Sequence, residues 1–158
     1  MSNYWKKITK QEVENFLAKC SSETKVYFGC DSVRYKIKGI WYGEYTTVLV
    51  VHINGSRGCK IFGQIDKERD FDKKASKPIL RLMNEAYRVS QLYLDFKDVI
   101  EDYETQVHLD INTEDIHNSS IAVSQASGYV KGVCNVTPIL KTCAYAASYA
   151  ADRLKSIA

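Results

Sequence analysis

Three carboxylates stand where the neighbouring residues predict ordered structure. Asp31 follows the apolar run Val26-Tyr27-Phe28-Gly29-Cys30, Asp110 lies inside Val107-His108-Leu109-Asp110-Ile111, and Asp152 falls on the last expected helix. A lone carboxylate on a buried strand is costly, and several close together repel one another, so such a set binds a cation or shares protons. Metal-dependent chemistry is the expectation, and carboxylate oxygens suit Mg2+ or Mn2+ better than zinc. Two such ions roughly 3.5–4 Å apart would activate a water and steady the leaving oxygen of a phosphodiester. The alternative is that Asp31 caps a turn after its strand and Asp110 accepts backbone hydrogen bonds near a strand end.

Other residues could complete such a site. Glu85 lies at helical spacing with Leu82, Val89 and Leu92, on the shoulder of an apolar stripe, and is a fourth candidate ligand or a solvated helix glutamate. Ser32 could hydrogen-bond a phosphate or a metal-bound water, and Lys141 could neutralise a phosphate; local capping or a surface charge is the alternative for both. Arg34, Lys36 and Lys38 alternate with Tyr35 and Ile37. An extended stretch would place the three cations on one face, able to follow a phosphate backbone while Tyr35, Trp41 and Tyr42 stack on bases. A charged edge strand protected against aggregation has the same pattern. His108 and His117, with Asp110 and Asp115, offer a weaker zinc alternative, and His117 in the loop after the fourth strand could protonate a leaving group.

These residues need elements to position them. Thr9 and Glu12 form a capping box for a short first helix with Val13, Phe16 and Leu17 on its apolar side. Strands are expected over 25–31, 44–53 and 59–65, with turns at Lys38-Gly39 and Asn54-Gly55, followed by a densely charged, solvated loop over 66–77. Ser76 and Pro78 suit the start of a long helix to about Phe96, carrying Ile79, Leu82, Met83, Ala86, Val89 and Tyr93 inward. A fourth strand over 106–112, a short helix capped by Asn118 or Ser119 and ending before Gly128, a fifth strand over 129–136 and a helix from Thr142 to about Ile157 complete the order. Strand parity puts Val26, Phe28 and Cys30 on one face and Tyr27, Gly29 and Asp31 on the other. It likewise separates Val107, Leu109 and Ile111 from Gln106, His108 and Asp110.

A chain of 158 residues, 45% hydrophobic and 26% charged, fits one domain spanning residues 1–158 with an ordinary core. No apolar run approaches the roughly 18–20 residues that span a bilayer, and the first residues carry no hydrophobic signal segment, so no membrane partner and a cytoplasmic location are expected. The five cysteines include no CxxC pair, which favours reduced core thiols. A net charge of +3 does not by itself predict a nucleic-acid partner, so the placement of charge must carry that argument.

The motifs Phe28-Gly29-Cys30-Asp31-Ser32, Val107-His108-Leu109-Asp110-Ile111-Asn112, Gly128-Tyr129-Val130-Lys131-Gly132 and Ala150-Ala151-Asp152-Arg153 resemble those of the YkuK-like family of ribonuclease H-like proteins. Cys30 stands where the family pattern has Thr, and Thr142 where it has Pro. The resemblance implies an α/β, ribonuclease H-like fold: a mixed five-stranded sheet, made of a three-strand antiparallel meander plus parallel strands, with flanking helices. First and fourth strands would be neighbours. It also implies a carboxylate site of Asp31, Asp110 and Asp152 at the ends of the central strands, to which Glu85 is the optional fourth member by its helical spacing, and a nucleic acid or nucleotide substrate. A binding module without catalysis, using the same cleft, is the second expectation.

Overall fold

The computed structural model describes residues 7–55, 57–73, 79–109 and 116–140, with the backbone alone for 116–121. Asp110, Lys141, Asp152 and the helix expected from Thr142 lie outside the described residues. Helix α1 spans Lys10–Leu17 and begins as its sequence dictates. The Thr9 hydroxyl accepts the Glu12 N–H, and the Glu12 carboxylate accepts the Thr9 N–H at 2.8 Å. Two otherwise orphaned donors are satisfied, and Val13 and Leu17 are buried.

Four strands follow the order β3-β2-β1-β4. Strands β1 (Lys25–Ile37), β2 (Ile40–His52) and β3 (Cys59–Arg69) form the antiparallel meander, and β4 (Glu104–Leu109) joins β1 in parallel. Lys38 and Gly39 connect β1 to β2 with φ of 49° and 82°, the left-handed pair whose twist matches a tight hairpin. Asn54 and Gly55 play the corresponding part after β2, with φ of 51° and 80°.

Several boundaries depart from the sequence expectation. β1 does not stop at Asp31 but runs to Ile37, because Val33, Tyr35 and Ile37 continue the alternation and β2 pairs with them up to Ile37 opposite Ile40. Asp31 is therefore inside a strand rather than capping a turn. The charged segment after residue 65 is not simply solvated: Asp66 to Arg69 belong to β3, and Asp70 and Asp72 are buried.

The fifth strand expected over 129–136 is not a strand. Helix α3 runs without a break from Ile116 to Cys134, past Gly128 and Gly132, and takes in His117 at its start. Ala122, Ala126, Val130 and Cys134 recur every four residues and are all buried. One continuous apolar stripe outweighs the β preference of Tyr129, Val130 and Val133. Among the described residues the sheet thus has four strands and is flanked by three helices. A single parallel bridge joins His108 to Ile139, where the Leu109 N–H donates to the Ile139 carbonyl and the Ile139 N–H to the Val107 carbonyl, both at 2.9 Å.

Helix α2 spans Ile79–Ile100 and lays Ala86, Val89, Leu92, Tyr93, Phe96 and Ile100 against the sheet. They meet Val26, Phe28, Leu49, Val51, Val107 and Leu109 in the main core. Each fully buried side chain of this size contributes about 1.5–3 kcal/mol through removal of apolar surface from water. Val48 and Val50 are equally buried on the opposite face, with Tyr27, Cys59 and Ile61 packed beside them. The sheet has apolar surface on both sides.

Candidate active site

Parity divides β1 as its sequence implies. Phe28 packs edge-on against Tyr93 of α2, with ring centroids 5.5 Å apart, so the even-numbered residues face that helix. Tyr27 stacks on His108 of β4 at 5.1 Å on the other face. Asp31, odd-numbered and partly buried, belongs to the Tyr27 side. In the parallel β1–β4 pair Cys30 lies beside Leu109, so the described register ends one residue short of Asp31 on one strand and of Asp110 on the other.

Glu85 reaches the sheet instead of facing solvent. It is 3% exposed, and the Ser32 hydroxyl donates to its Oε1. Arg81 Nη1 donates to both the hydroxyl and the carbonyl of Ser32 at 3.3 Å. A carboxylate so deeply buried would be costly without such partners. The structure therefore unites Ser32 with Glu85, on the face of β1 opposite the side chain of Asp31.

Cys30, next to Asp31 in sequence, feels both acids. Burial pushes its thiol well above the usual range, and the Glu85 and Asp31 carboxylates push it further. Thr47 is its hydroxyl neighbour, with Oγ1 3.5 Å from the sulfur. The thiol stays protonated at neutral pH, and a thiol rather than a thiolate neither attacks nor ligates well.

Arg34 is committed elsewhere. Its Nε lies 2.7 Å from Asp70 Oδ2, in a pair whose side chains are 11% and 1% exposed, and its Nη2 donates to the Asp72 carbonyl at 2.7 Å. The guanidinium also stands 4.2 Å from the centre of the Trp41 ring. Asp72 in turn accepts the backbone N–H groups of Leu80 and Arg81 at 2.9 and 3.0 Å, capping α2 from a distance in sequence. Lys36 extends over Trp41 at 5.3 Å and is exposed, as is Lys38 at the turn.

Sequence reasoning missed Arg81, Arg88, Asp70 and Asp72. Arg88 grips Asp66 at 2.7 Å and Glu68 at 2.8 Å while lying 3.8 Å over the Tyr45 ring. Asp72 preceding a helix is the kind of signal that could have been found. The Arg pairs join residues too far apart in the chain to show in any local pattern.

His108 is 2% exposed, with Nε2 3.0 Å from Gln106 Oε1. Burial pushes its pKa down to about 4, so it is neutral near pH 7. The unfolded chain takes up this proton near pH 6.5 and the folded chain does not, so the folded state loses stability as pH falls from about 6.5 to about 4. The full loss should be about 3 kcal/mol. Urea denaturation of wild type and His108→Gln across this range should show a steeper acid decline in wild type; parallel curves would refute it. His117 has no described side chain, and neither Asp110 nor Asp115 is described, so the zinc alternative lies outside the described residues.

A model of the family described as Ribonuclease H-like matches residues 9–156. The chain belongs to that family. No curated protein matches it, and no solved structure does. The ribonuclease H-like match takes in the four described strands and the two candidate site carboxylates that are described, Asp31 and Glu85. Both supply the hard oxygen donors that Mg2+ and Mn2+ take. Among the described residues no three His, Cys, Asp or Glu side chains gather as one metal-binding group. A two-ion set would have to draw on Asp110 and Asp152.

Proposed function

We propose that this ribonuclease H-like protein, whose motifs resemble those of the YkuK-like members, is a metal-dependent phosphodiesterase or nuclease acting on nucleic acid or nucleotides. The observation that carries this reading is the parallel β1–β4 register, in which Cys30, the residue before Asp31, lies beside Leu109, the residue before Asp110 in sequence. Were Asp110 to continue that register, its carboxylate and that of Asp31 would repel each other unless a cation lay between them. Asp31, with Asp110 and Asp152, would hold Mg2+ or Mn2+, while Glu85 stands with Ser32 on the opposite face of β1. The ion, when bound, supplies charge for the phosphate and acidity for an attacking water.

One observation favours a second reading, in which the cleft binds nucleic acid without cutting it. Glu85 is buried and engaged by Ser32, as a purely structural acid would be. The deciding experiment is a cleavage screen over RNA, DNA, hybrids and short nucleotides with Mg2+ or Mn2+, run beside Asp110→Asn. Cleavage by wild type alone supports the enzyme, whereas no cleavage by either leaves the binding module. Binding can be read separately from chemistry. Mn2+ at about 100 times its dissociation constant should stabilise the folded protein by about 2.7 kcal/mol and raise Tm by roughly 5–10 °C. An unchanged Tm in differential scanning fluorimetry would count against the metal site.

A further inference from the structure

The cation stripe read from the sequence, Arg34, Lys36 and Lys38, has the wrong parity to continue from Asp31. In β1 the residues that share the Asp31 face are Val33, Tyr35 and Ile37. The register carries this face across the sheet: Val33 lies beside Glu44 and then Lys67, and Tyr35 lies beside Tyr42 and then Arg69. Tyr35 and Tyr42 stack on each other with centroids 5.7 Å apart and planes 22° from parallel. Lys67 Nζ stands 5.6 Å from the centre of the Tyr35 ring. Val33, Ile37 and Ile40 around them are 47%, 50% and 37% exposed.

We propose that this outer part of the β1–β2 hairpin is a stacking platform for single-stranded nucleic acid, on which Tyr35 and Tyr42 take a base and Lys67 and Arg69 take the flanking phosphates. The inference rests on the reading of Asp31 as part of a phosphodiester site and names the strand-binding surface that leads to it. Asp31 and Tyr35 are four residues apart on one strand face, about 13 Å, the reach of two or three nucleotides. Rings with Lys67 beside them, Arg69 in register with Tyr42 and apolar side chains around them suit the apolar faces and charged backbone of an unpaired strand. Tyr35 and Tyr42 are each partly exposed. A duplex hides its base faces and would gain little here.

The test is equilibrium binding of labelled 12-nucleotide single strands, RNA and DNA in separate arms, by fluorescence anisotropy in EDTA. Without metal, cleavage is silent, so binding is read independently of the proposed nuclease. Tyr35→Ala and Tyr42→Ala should each weaken binding about tenfold. Lys67→Gln and Arg69→Gln should each flatten the dependence of log affinity on log salt by about 0.7. Lys60→Ala, at the opposite end of β3, removes a cation without touching the platform and should change affinity by less than about twofold. Tyr42→Leu retains apolar bulk, and far-UV circular dichroism on every variant separates loss of the ring from loss of fold. Folded Tyr variants that bind like wild type would overturn the platform, as would wild-type protein that binds neither strand or prefers duplex. Intact binding with no Mn2+-dependent cleavage would sink only the nuclease reading.

Discussion

Asp31→Asn should reduce Mn2+-dependent phosphodiester cleavage by about 100-fold or more, a loss of roughly 3 kcal/mol or more in transition-state stabilisation. The amide keeps the size of the carboxylate and loses the charge that would hold a cation. The fold should survive, because Asp31 sits within β1 opposite Thr46, and the ladder there uses backbone groups that the substitution leaves in place. One of the two carboxylates that raise the Cys30 thiol would also disappear, while burial and Glu85 continue to raise it. The measurement is kcat/KM with Mn2+ on whichever substrate the screen identifies, beside a thermal melt. Full activity in a folded Asp31→Asn protein would remove this residue from the reaction.

Arg34→Ala should unfold the protein more readily, and the direction of this effect decides what the residue does. A phosphate-binding arginine on an exposed stripe could be removed at little cost to stability. The structure has Arg34 paired with Asp70, whose side chain is 1% exposed, and bonded to the carbonyl of Asp72. Deleting one member of a buried ion pair leaves the other unpaired, at a cost of about 3–5 kcal/mol. Asp72 also caps α2 through Leu80 and Arg81, so the start of the helix bearing Glu85 loosens as well. A fall in Tm of about 10 °C is expected. A variant with wild-type Tm and a changed salt dependence of nucleic-acid binding would return Arg34 to the phosphate-contact role.

Local chemistry made part of this molecule legible in its sequence. The capping box of Thr9 and Glu12 spans three residues, and the Lys38-Gly39 and Asn54-Gly55 turns need only residues that accept positive φ. Strand period alone divides β1 into a Phe28 face and an Asp31 face, and applied further along the strand it separates Tyr35 from Arg34. The order of elements likewise predicts that β4 enters beside β1 in parallel, since a helix must carry the chain back between them.

Tertiary structure decided the rest. Whether Tyr129 to Val136 forms a strand or extends a helix depended on whether Ala122, Ala126, Val130 and Cys134 found a common surface to cover, which no short window records. Glu85 became a buried acid because Ser32, 53 residues earlier, donates to it, and Arg34 became a structural cation because Asp70 and Asp72 fold back onto β1. Propensity and period act over a few residues and are written into the chain. The partner of a buried charge is chosen by packing between distant segments, so the sequence supplied the charges of this protein while the fold determined which of them were paired.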